Sequence, residues 1–366
     1  MRLTFAEVNL SNLQKNYLNI RRKVNTKVMA VVKADAYGHG VKQCVDALLA
    51  LGDRKPEYFA VALPEEADEL LKLKVKEPIL IFEPYIVENI NLFKNKNLIA
   101  TVCTKEHIKT LASLNQKVKV HIKVNTGMNR IGVHFDEAYE FINYCSRQSH
   151  IIIDGIYTHF ATSDEKDKKY ANLQLDRFKH VINQLKLAGI NYGNAHCANS
   201  GAILDIPEAY MDIVRPGISL YGYYPSLETS ESIKLQPVLS LFSKISTVKE
   251  IDKGEPVSYS RRYHLKEKSK VASVPIGYAD GFTRALTNKA KVIVKNKVYV
   301  QIGTVTMDRI MILVDDNVKV GDKVTLLGNS RNNKIDAWDW SRILNTIPYE
   351  VTCSLSKRIP RVYKNI

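Results

Sequence analysis

The chain has 366 residues, of which 45% are hydrophobic and 25% are charged. This length exceeds that of a typical single domain, so we expect two domains, or one large barrel with an appendage, and the composition excludes a disordered chain. No stretch approaches the ~18 consecutive apolar residues that a membrane-spanning helix needs, and the first residues lack an apolar signal segment. We therefore expect a cytoplasmic protein without a membrane partner.

The chain is strongly basic, with 53 Lys and Arg residues against 38 Asp and Glu residues and a formal net charge of +15. The lysines are scattered and form no basic arm with interleaved aromatic residues, so we expect no nucleic-acid partner, although attraction of anionic small molecules stays open. The cysteines are widely spaced without a Cys-x-x-Cys pair, which is typical of reduced packing thiols and predicts no metal site. They are Cys44, Cys103, Cys145, Cys197 and Cys353.

Between residues 27 and about 215, short apolar runs alternate with amphipathic segments. Helical spacing at Leu13, Tyr17 and Ile20 precedes the first run. Eight predicted strands follow, at residues 27–33, 58–62, 78–82, 98–102, 118–124, 152–158, 192–196 and 211–215. Eight strand-plus-helix units predict an α/β fold in which residues 1–234 form a closed parallel (β/α)8 barrel of the TIM type.

From about residue 235 the pattern changes to the alternation of β-strands. Residues 291–302 read as a hairpin with a polar turn, and helical periodicity nearly vanishes until residues 338–344. We therefore predict a mainly-β C-terminal domain over residues 235–366. An alternative left open is that residues 1–10 pair with this domain as a strand.

Lys33 ends the first apolar run and is followed by Tyr37, Gly38 and Gly40. A lysine at the mouth of a buried strand loses hydration, which favours the neutral amine that condenses with an aldehyde. Pyridoxal phosphate is the obvious aldehyde, and the Tyr37 hydroxyl with the two glycines would suit its phosphate. The alternative is a lysine that only caps the strand and extends its charge to water.

Polar residues cluster where the predicted strands end, which is the edge of a barrel that carries active sites. They are Lys33, Lys123, Arg130, His159, His196, Asn199, Ser200 and Arg215. The loops after the seventh and eighth strands commonly hold phosphate in barrels, and they contain Asn199-Ser200 and Gly217-Ile218. Ser200 as a plain helix cap is the alternative, but it leaves Gly217 unexplained.

A set of motifs in the same order along nearly the whole chain resembles the alanine racemase family. These motifs are Val31-Val-Lys-Ala-Asp-Ala-Tyr-Gly-His-Gly40, His121-Ile-Lys-Val-Asn-Thr-Gly-Met-Asn-Arg-Ile-Gly132, Thr158-His-Phe160, His196-Cys-Ala-Asn-Ser200, Arg215-Pro-Gly217, Val257-Ser-Tyr259, Pro275-Ile-Gly-Tyr-Ala-Asp-Gly281 and Met307-Asp308. The resemblance implies a pyridoxal 5'-phosphate enzyme that interconverts L- and D-alanine for peptidoglycan. It also implies a homodimer whose active sites are shared between subunits.

By this resemblance the reaction uses two bases on opposite faces of the cofactor. Lys33 serves the D-isomer, and Tyr259 from the partner subunit serves the L-isomer. Arg215 holds His159, which in turn holds the tyrosine. Arg215 also faces the pyridine nitrogen, where a permanent cation discourages ring protonation and so favours racemisation over decarboxylation or transamination.

The resemblance also assigns binding roles. Arg130 matches an arginine near the cofactor ring and the substrate carboxylate. Lys123 matches a lysine that is often carbamylated, and the carboxylate of the carbamate would orient that arginine. Met307 and Tyr278 match substrate-site residues, the first from the partner subunit and the second at the entrance. The remaining cofactor-binding residues are predicted to be Tyr37, His196, Asn199, Ser200, Gly217, Ile218 and Lys357.

Several positions depart from the family pattern. Asn125 and Asn129 replace a common Asp and Gly, and Thr306 stands where Cys is frequent. Lys357 replaces a tyrosine that narrows the substrate path, and Arg261 and Arg262 follow Tyr259 where small residues are usual. These cations leave open a broad-specificity, serine or lysine racemase. A non-enzymatic pyridoxal-phosphate carrier is a further alternative, but it would need neither residues 235–366 nor a second base.

Overall fold

The computed structural model describes residues 2–84 and 87–364, so the predicted domain limits at residues 1 and 366 lie outside the described residues. The described residues form two compact units. The barrel unit comprises Leu13–Ala36 and Val41–Gln236, and the β unit comprises the residues up to Asn12, Tyr37–Gly40 and the residues from Pro237. Among the described residues, no helix combines the length and the apolar character that crossing a membrane requires.

The predicted parallel eight-stranded barrel is confirmed. In their order around the sheet the strands are Ile213–Val214, Lys27–Val31, Tyr58–Val61, Ile79–Pro84, Leu98–Val102, Val118–Asn125, Ile151–Tyr157 and Asn194–His196. Two backbone hydrogen bonds link the first and last of these strands, from Asp212 N to Ala195 O (3.1 Å) and from Arg215 N to Ala198 O (2.8 Å). The sheet is therefore nearly closed.

The barrel strands are continuous apolar runs because both of their faces are covered. Every residue of Tyr58–Val61 and of Leu98–Val102 is buried, as expected for parallel strands between a packed barrel interior and a layer of helices. In the described part of the chain before residue 237, the right-handed α-helices are Leu10–Val24, Val41–Leu49, Pro64–Lys72, Lys105–Ala112, Ala138–Ser146, Lys169–Leu187 and Ser200–Asp205. The segment Lys33–Gly38 is also helical, but residues 34–37 have left-handed backbone angles.

The first helix shows how the amphipathic segments dock. Its predicted apolar stripe of Leu13, Tyr17 and Ile20 is fully buried. On the same helix, Arg21 makes two hydrogen bonds to the carboxylate of Glu57, at 3.0 and 2.6 Å. Glu57 also accepts the backbone N–H of Val28 at 2.9 Å, so the helix is fixed to the start of a barrel strand.

The mainly-β character predicted for the C-terminal part is confirmed. Its sheet runs in the order Thr247–Ile251, Ser269–Val274, Ile310–Val314, Lys297–Ile302, Lys291–Val294, Lys323–Ser330, Leu239–Lys244, Phe5–Asn9 and Arg361–Lys364, with Asn333–Ile335 paired to Lys323–Ser330. The strands Lys291–Val294 and Lys297–Ile302 form the predicted hairpin. Two short helices follow, Ala337–Leu344 and Pro348–Cys353.

The strand nearest the N-terminus belongs to the sheet of the β unit. Phe5–Asn9 pairs antiparallel with Leu239–Lys244 and parallel with Arg361–Lys364. Ala6 and Val8 point to the buried face of this strand and are fully buried. This strand therefore contributes to the core of a unit whose other strands lie more than two hundred residues away along the chain.

We predict that Val8→Asp lowers the free energy of unfolding by about 3–5 kcal/mol, because the variant buries an unpaired carboxylate within a sheet. The same substitution at Val320, which is 63% exposed, is the matched control and should cost under about 1 kcal/mol. Urea unfolding followed by circular dichroism measures both. Equal midpoints for the two variants would contradict the assignment of this strand to the core.

Candidate active site

The barrel unit brings most of the predicted polar residues to one rim. His196 is the last residue of its strand, while His159 and Arg215 follow the ends of theirs within two residues. The pKa of His159 is held well below its usual range by burial and then by the positive charges of Arg215, Lys123, Arg130 and Lys33. Four predicted site residues therefore act electrostatically on a fifth, His159, at the carboxyl ends of the strands.

Arg215 is the most buried cation of this rim. Arg215 is only 3% exposed, and this burial lowers its pKa to about 10. Nη1 lies 2.7 Å from His196 Nδ1, and Nη2 donates to Thr158 O at 2.7 Å and Cys197 O at 3.1 Å. The guanidinium still carries its charge at neutral pH, and all its acceptors in the described residues are neutral.

His159 is prepared to act as a hydrogen-bond donor. Its Nδ1 lies 3.3 Å from Arg215 Nη2, and arginine has only donors to offer. Nδ1 is therefore the unprotonated nitrogen, and the neutral ring carries its proton on Nε2. The depressed pKa of His159, caused first by burial, keeps the ring neutral throughout the physiological range.

Lys123 is a buried lysine of the same rim. It is only 7% exposed, and its Nζ lies 4.8 Å from the centre of the Tyr157 ring. Burial, then the charges of Arg215 and Arg130, hold the pKa of Lys123 well below its usual range. Within residues 2–84 and 87–364 its side chain makes no hydrogen bond or ion pair, and the lowered pKa favours the neutral, nucleophilic amine.

The loop that carries Arg130 is organised by Asn125. Its Oδ1 accepts the backbone N–H groups of Gly127 (3.1 Å) and Asn129 (3.0 Å), and its Nδ2 donates to Asn129 Oδ1 at 3.0 Å. Asn129 has a φ of +55°, a left-handed conformation that asparagine tolerates better than most residues. Asn125 and Asn129 therefore hold the loop by hydrogen bonds within it, and Arg130 is exposed at its end.

Lys33 is followed by a left-handed helical turn. Ala34, Asp35, Ala36 and Tyr37 have φ values between +52° and +55°, which costs roughly 1–2 kcal/mol for each non-glycine residue. The predicted strand 27–33 consequently ends early, at Val31, because the backbone reverses its hand here. Lys33 lies half-buried at the start of the turn.

Two carboxylates stabilise the start and the end of this turn. Glu66 accepts the N–H of Ala34 at 2.6 Å, and Asp35 accepts the N–H of Val41 at 2.7 Å. The chain then continues through Gly38, whose φ is +82° and where a Cβ atom would lie 2.3 Å from Thr352 O. Tyr37 is buried, with its ring centre 6.0 Å from that of Tyr349.

The loops after the seventh and eighth barrel strands meet through Ser200. Its Oγ accepts the N–H groups of Gly217 (3.0 Å) and Ser219 (3.4 Å), and it lies 3.0 Å from Ser219 Oγ. The cap of the helix Ser200–Asp205 is Asn199, whose Oδ1 accepts Ala202 N at 3.1 Å. Ser200 is therefore not a plain cap, and hydroxyl groups and amides converge here. Ile218 is fully buried at the edge of this cluster.

Three predicted residues share a depression of about 1190 Å³ on the β unit. They are Tyr259, Met307 and Tyr278, which are 71%, 51% and 42% exposed. Two loops form one wall of the depression, because Tyr278 N and Ala279 N donate to Thr306 O (3.0 Å) and Met307 O (3.1 Å). A Cβ atom at Gly277 would lie 2.2 Å from Thr306 O, so only glycine permits this approach.

The Tyr259 side chain projects from a strained turn. Ser258, Ser260 and Arg261 have φ values of +68°, +61° and +47°, a conformation that costs of order 1–3 kcal/mol per residue and is concentrated at functional sites. Thr304 holds the turn, because its carbonyl accepts Ser258 Oγ and its hydroxyl donates to Tyr259 O, each at 2.7 Å.

The remaining predicted residues of the β unit are surface cations. Arg261, Arg262 and Lys357 are all exposed. In the part of the chain that the structure describes, none of the three side chains has a hydrogen bond or ion pair.

Sequence reasoning missed Thr304, the left-handed turn and two residues behind Arg215. His121 Nδ1 lies 2.8 Å from His196 Nε2, and His121 Nε2 lies 3.1 Å from Asp154 Oδ2. The available signal was the spacing of His121 and Lys123, which are two residues apart on one strand and so face the same side.

The barrel is nearly closed and carries a lysine, a cluster of hydroxyl groups and amides, and a buried arginine at one rim. Next in sequence is a β unit that presents an exposed tyrosine. These features are typical of a class: pyridoxal-phosphate enzymes that act at the α-carbon of amino acids. Comparison with known proteins narrows the class. The family models described as "Alanine racemase, N-terminal domain" and "Alanine racemase, C-terminal domain" match residues 8–225 and 238–363.

Curated and solved relatives agree with these matches. The chain is 41% identical to alanine racemase 2 of Caldanaerobacter subterraneus subsp. tengcongensis, over 99% of this chain and 95% of that one. It superposes on alanine racemase of Clostridium difficile 630 with a TM-score of 0.92 at 37% identity, covering 99% of this chain and 95% of that one. It also superposes on the histidine racemase of Leuconostoc mesenteroides subsp. sake with a TM-score of 0.90 at 28% identity, covering 100% and 98%.

The chain belongs to the alanine racemase family. It is an isomerase acting on amino acids, and its cofactor is pyridoxal 5'-phosphate.

We predict that Asp35→Val lowers the free energy of unfolding by about 2–4 kcal/mol and reduces cofactor content, because a β-branched residue is strained at φ +53° and Val41 N loses its acceptor. Asp35→Asn is the matched control. It tolerates the left-handed backbone and keeps an oxygen acceptor, so its unfolding midpoint should stay near the wild-type value.

Urea unfolding and the absorbance of bound pyridoxal phosphate measure the two variants side by side. A valine variant as stable as the asparagine variant would show that the left-handed turn is not under strain.

Proposed function

We propose that this chain interconverts L- and D-alanine, with Lys33 and the partner subunit's Tyr259 as the two bases. The observation that carries the proposal is the cationic rim around Arg215 and His159, where a buried arginine lies beside a histidine that burial, and then the charge of the arginine, keeps neutral. Such a rim fits an anionic cofactor and an amino-acid carboxylate. We further propose that the barrel unit and the β unit act as the two functional domains.

The residues present fit pyridoxal phosphate. The phosphate would be held by Ser200, the Gly217–Ser219 amides and Ser219, which already converge on one point. The Nε of Arg215 has no acceptor among the described residues, so it is available to a pyridine nitrogen. Lys33 would hold the aldehyde carbon. We assign Tyr37, His196, Asn199, Ile218 and Lys357 to the same cofactor site.

Bound pyridoxal phosphate supplies the electron sink that makes the substrate Cα–H acidic. Arg215 limits that sink, because its cation disfavours a second positive charge on the ring nitrogen beside it. A modest sink favours return of the proton to Cα over loss of the carboxylate or transfer of the amine. This residue therefore supports racemisation against the competing reactions of the same cofactor.

The two bases would receive and return the Cα proton from opposite faces. Lys33, whose charge acts on His159 together with those of Arg215, Lys123 and Arg130, would accept the proton of the D-isomer on its amine nitrogen. The partner subunit's Tyr259 accepts the proton of the L-isomer. A phenol has a reference pKa of about 10, and a hydrogen bond from His159 Nε2–H would stabilise its phenolate.

Three residues are proposed to bind the substrate. Arg130 would pair with the carboxylate, and the partner subunit's Met307 would contact the same group, with Tyr278 at the entrance. The buried neutral amine of Lys123 supports carbamylation, because carbon dioxide reacts with the unprotonated amine. The carbamate would place a negatively charged hydrogen-bond acceptor for Arg130 where the lysine has a buried neutral amine.

A homodimer follows from the second base. Tyr259 and Met307 are large side chains exposed around the depression of the β unit, and exposed apolar clusters of this kind mark interaction surfaces. A second copy of the chain would cover them and bring its rim to Tyr259. We propose a cytoplasmic location with a role in D-alanine supply for peptidoglycan, which agrees with five free cysteines.

A broader substrate range is the second candidate. The neighbour from Leuconostoc is a histidine racemase of the same fold, so the architecture accommodates a larger side chain. In this chain Lys357 and Arg261 are exposed cations that would select polar or acidic substrates. Alanine stays the first choice because the curated relatives at about 40% identity are named alanine racemases.

We predict that Tyr259→Phe lowers the rate from L-alanine by about 10²–10⁴-fold, because the phenolic oxygen is the base for that isomer. Cofactor binding should be unchanged. Tyr299→Phe, a tyrosine of the β unit outside the depression, is the matched control and should keep the wild-type rate. Full activity of Tyr259→Phe from both isomers would remove this residue from the mechanism.

We predict that Lys33→Ala neither racemises alanine nor retains pyridoxal phosphate after borohydride treatment, because the variant lacks the amine that bonds the aldehyde. Lys27→Ala, in the same strand segment, should behave as wild type. Mass spectrometry of the treated proteins identifies the modified peptide. Cofactor fixed on another lysine of Lys33→Ala would contradict the assignment.

A further inference from the structure

A row of hydrogen-bonded groups runs through the barrel behind Arg215. Arg215 Nη1 lies 2.7 Å from His196 Nδ1, His196 Nε2 lies 2.8 Å from His121 Nδ1, and His121 Nε2 lies 3.1 Å from Asp154 Oδ2. Both histidines are fully buried. All four of their ring nitrogens are therefore engaged, which packing alone does not require.

The two ends of this row determine where every proton lies. Arginine can only donate, so His196 Nδ1 is an acceptor and the proton of the neutral ring is on Nε2. That proton is donated to His121 Nδ1, so the proton of His121 lies on its Nε2. An ionised carboxylate can only accept, and Asp154 receives this last proton. If the two rings instead carried their protons on Nδ1, the N–H of His196 would point at the N–H of Arg215 Nη1 and no hydrogen bond could form.

The charges of the surrounding groups agree with this order. Burial holds the pKa of His196 well below its usual range, and it lowers the pKa of His121. Burial alone would raise the pKa of Asp154, but the hydrogen bond and charge of His121, with help from Lys119 and Tyr58, lower it. The row thus has neutral rings between a fixed cation and a fixed anion.

We propose that His121 and Asp154 are positioning residues for the racemase reaction. Asp154 fixes the proton of His121, His121 fixes the proton of His196, and His196 then presents the unprotonated Nδ1 that holds Arg215 against the cofactor. This inference rests on the proposed function. The row does not conduct protons, because the guanidinium keeps its proton at every pH of interest and interrupts any transfer.

Without the carboxylate of Asp154, the ring protons of His121 and His196 should no longer be fixed on Nε2. In Asp154→Leu, His121 loses its acceptor and can carry its proton on Nδ1, which forces His196 to place a proton on the nitrogen that faces Arg215. The guanidinium then loses its 2.7 Å contact and its fixed orientation. A glutamate at position 154 restores a carboxylate and should restore the order at least in part.

The test has two readouts. The first is ¹⁵N-histidine NMR of the cofactor-free protein, with His121→Gln and His196→Gln used to assign the signals. We expect Nε2–H for both rings in the wild type, and a mixture with Nδ1–H in Asp154→Leu. The second is steady-state kinetics of the holoenzyme, where kcat should fall about 10–100-fold with KM changed less than about 3-fold.

Glu77→Leu is the matched control, because Glu77 is also a largely buried carboxylate of the barrel unit, paired with Lys55. It should lose stability without changing the histidine signals or kcat. Wild-type His196 protonated on Nδ1 would overturn the proposal. So would an Asp154→Leu variant with unchanged histidine signals and unchanged kcat.

The NMR result does not depend on turnover. Absence of racemase activity in the wild type would therefore reject the proposed function, whereas the histidine signals decide the order of the protons independently. If Asp154→Leu fails to fold, the wild-type spectrum and the glutamate variant still test the assignment.

Discussion

Arg215 is a cation that the fold removes almost entirely from water, and no carboxylate of the described residues contacts it. Burying an unpaired charge is expensive, so the surrounding groups must offer lone pairs without adding charge. Two carbonyls and two histidine nitrogens do this. His159 and His196 must therefore be neutral to accept from Arg215. Hydrogen bonds continue from His196 through His121 to Asp154 in the interior of the barrel.

The same buried charge sets the electrostatics of the rim. It acts, after burial, to lower the pKa values of His159, His196 and Lys123. A site with this excess of positive charge attracts anions, and the groups that titrate within it stay neutral and able to exchange protons. In the proposed mechanism the barrel unit supplies the cofactor cradle and one base, and the exposed tyrosine of the β unit of a second chain supplies the other base.

The sequence was sufficient to predict the barrel and much of the rim. Parallel strands covered on both faces are continuous apolar runs, and residues at their carboxyl ends share one edge, so Arg215, His159 and His196 could be grouped before the fold was known. The left-handed turn at Ala34–Tyr37 could not, because it depends on Glu66, which is distant in sequence. Likewise, the partners of His121 are set by the pairing of three successive barrel strands, Val118–Asn125, Ile151–Tyr157 and Asn194–His196.

Proton exchange at Cα tests the central claim most directly. L-Alanine is converted in heavy water by the pyridoxal-phosphate enzyme, and the isotope content of the first D-alanine formed is measured by mass spectrometry. With two bases on opposite faces, we expect this D-alanine to carry solvent deuterium at Cα. If alanine is the preferred substrate, L-serine, L-lysine and L-arginine are inverted more slowly. D-Alanine that retains the original proton would contradict the two-base account, and cofactor binding without any exchange would contradict the racemase itself.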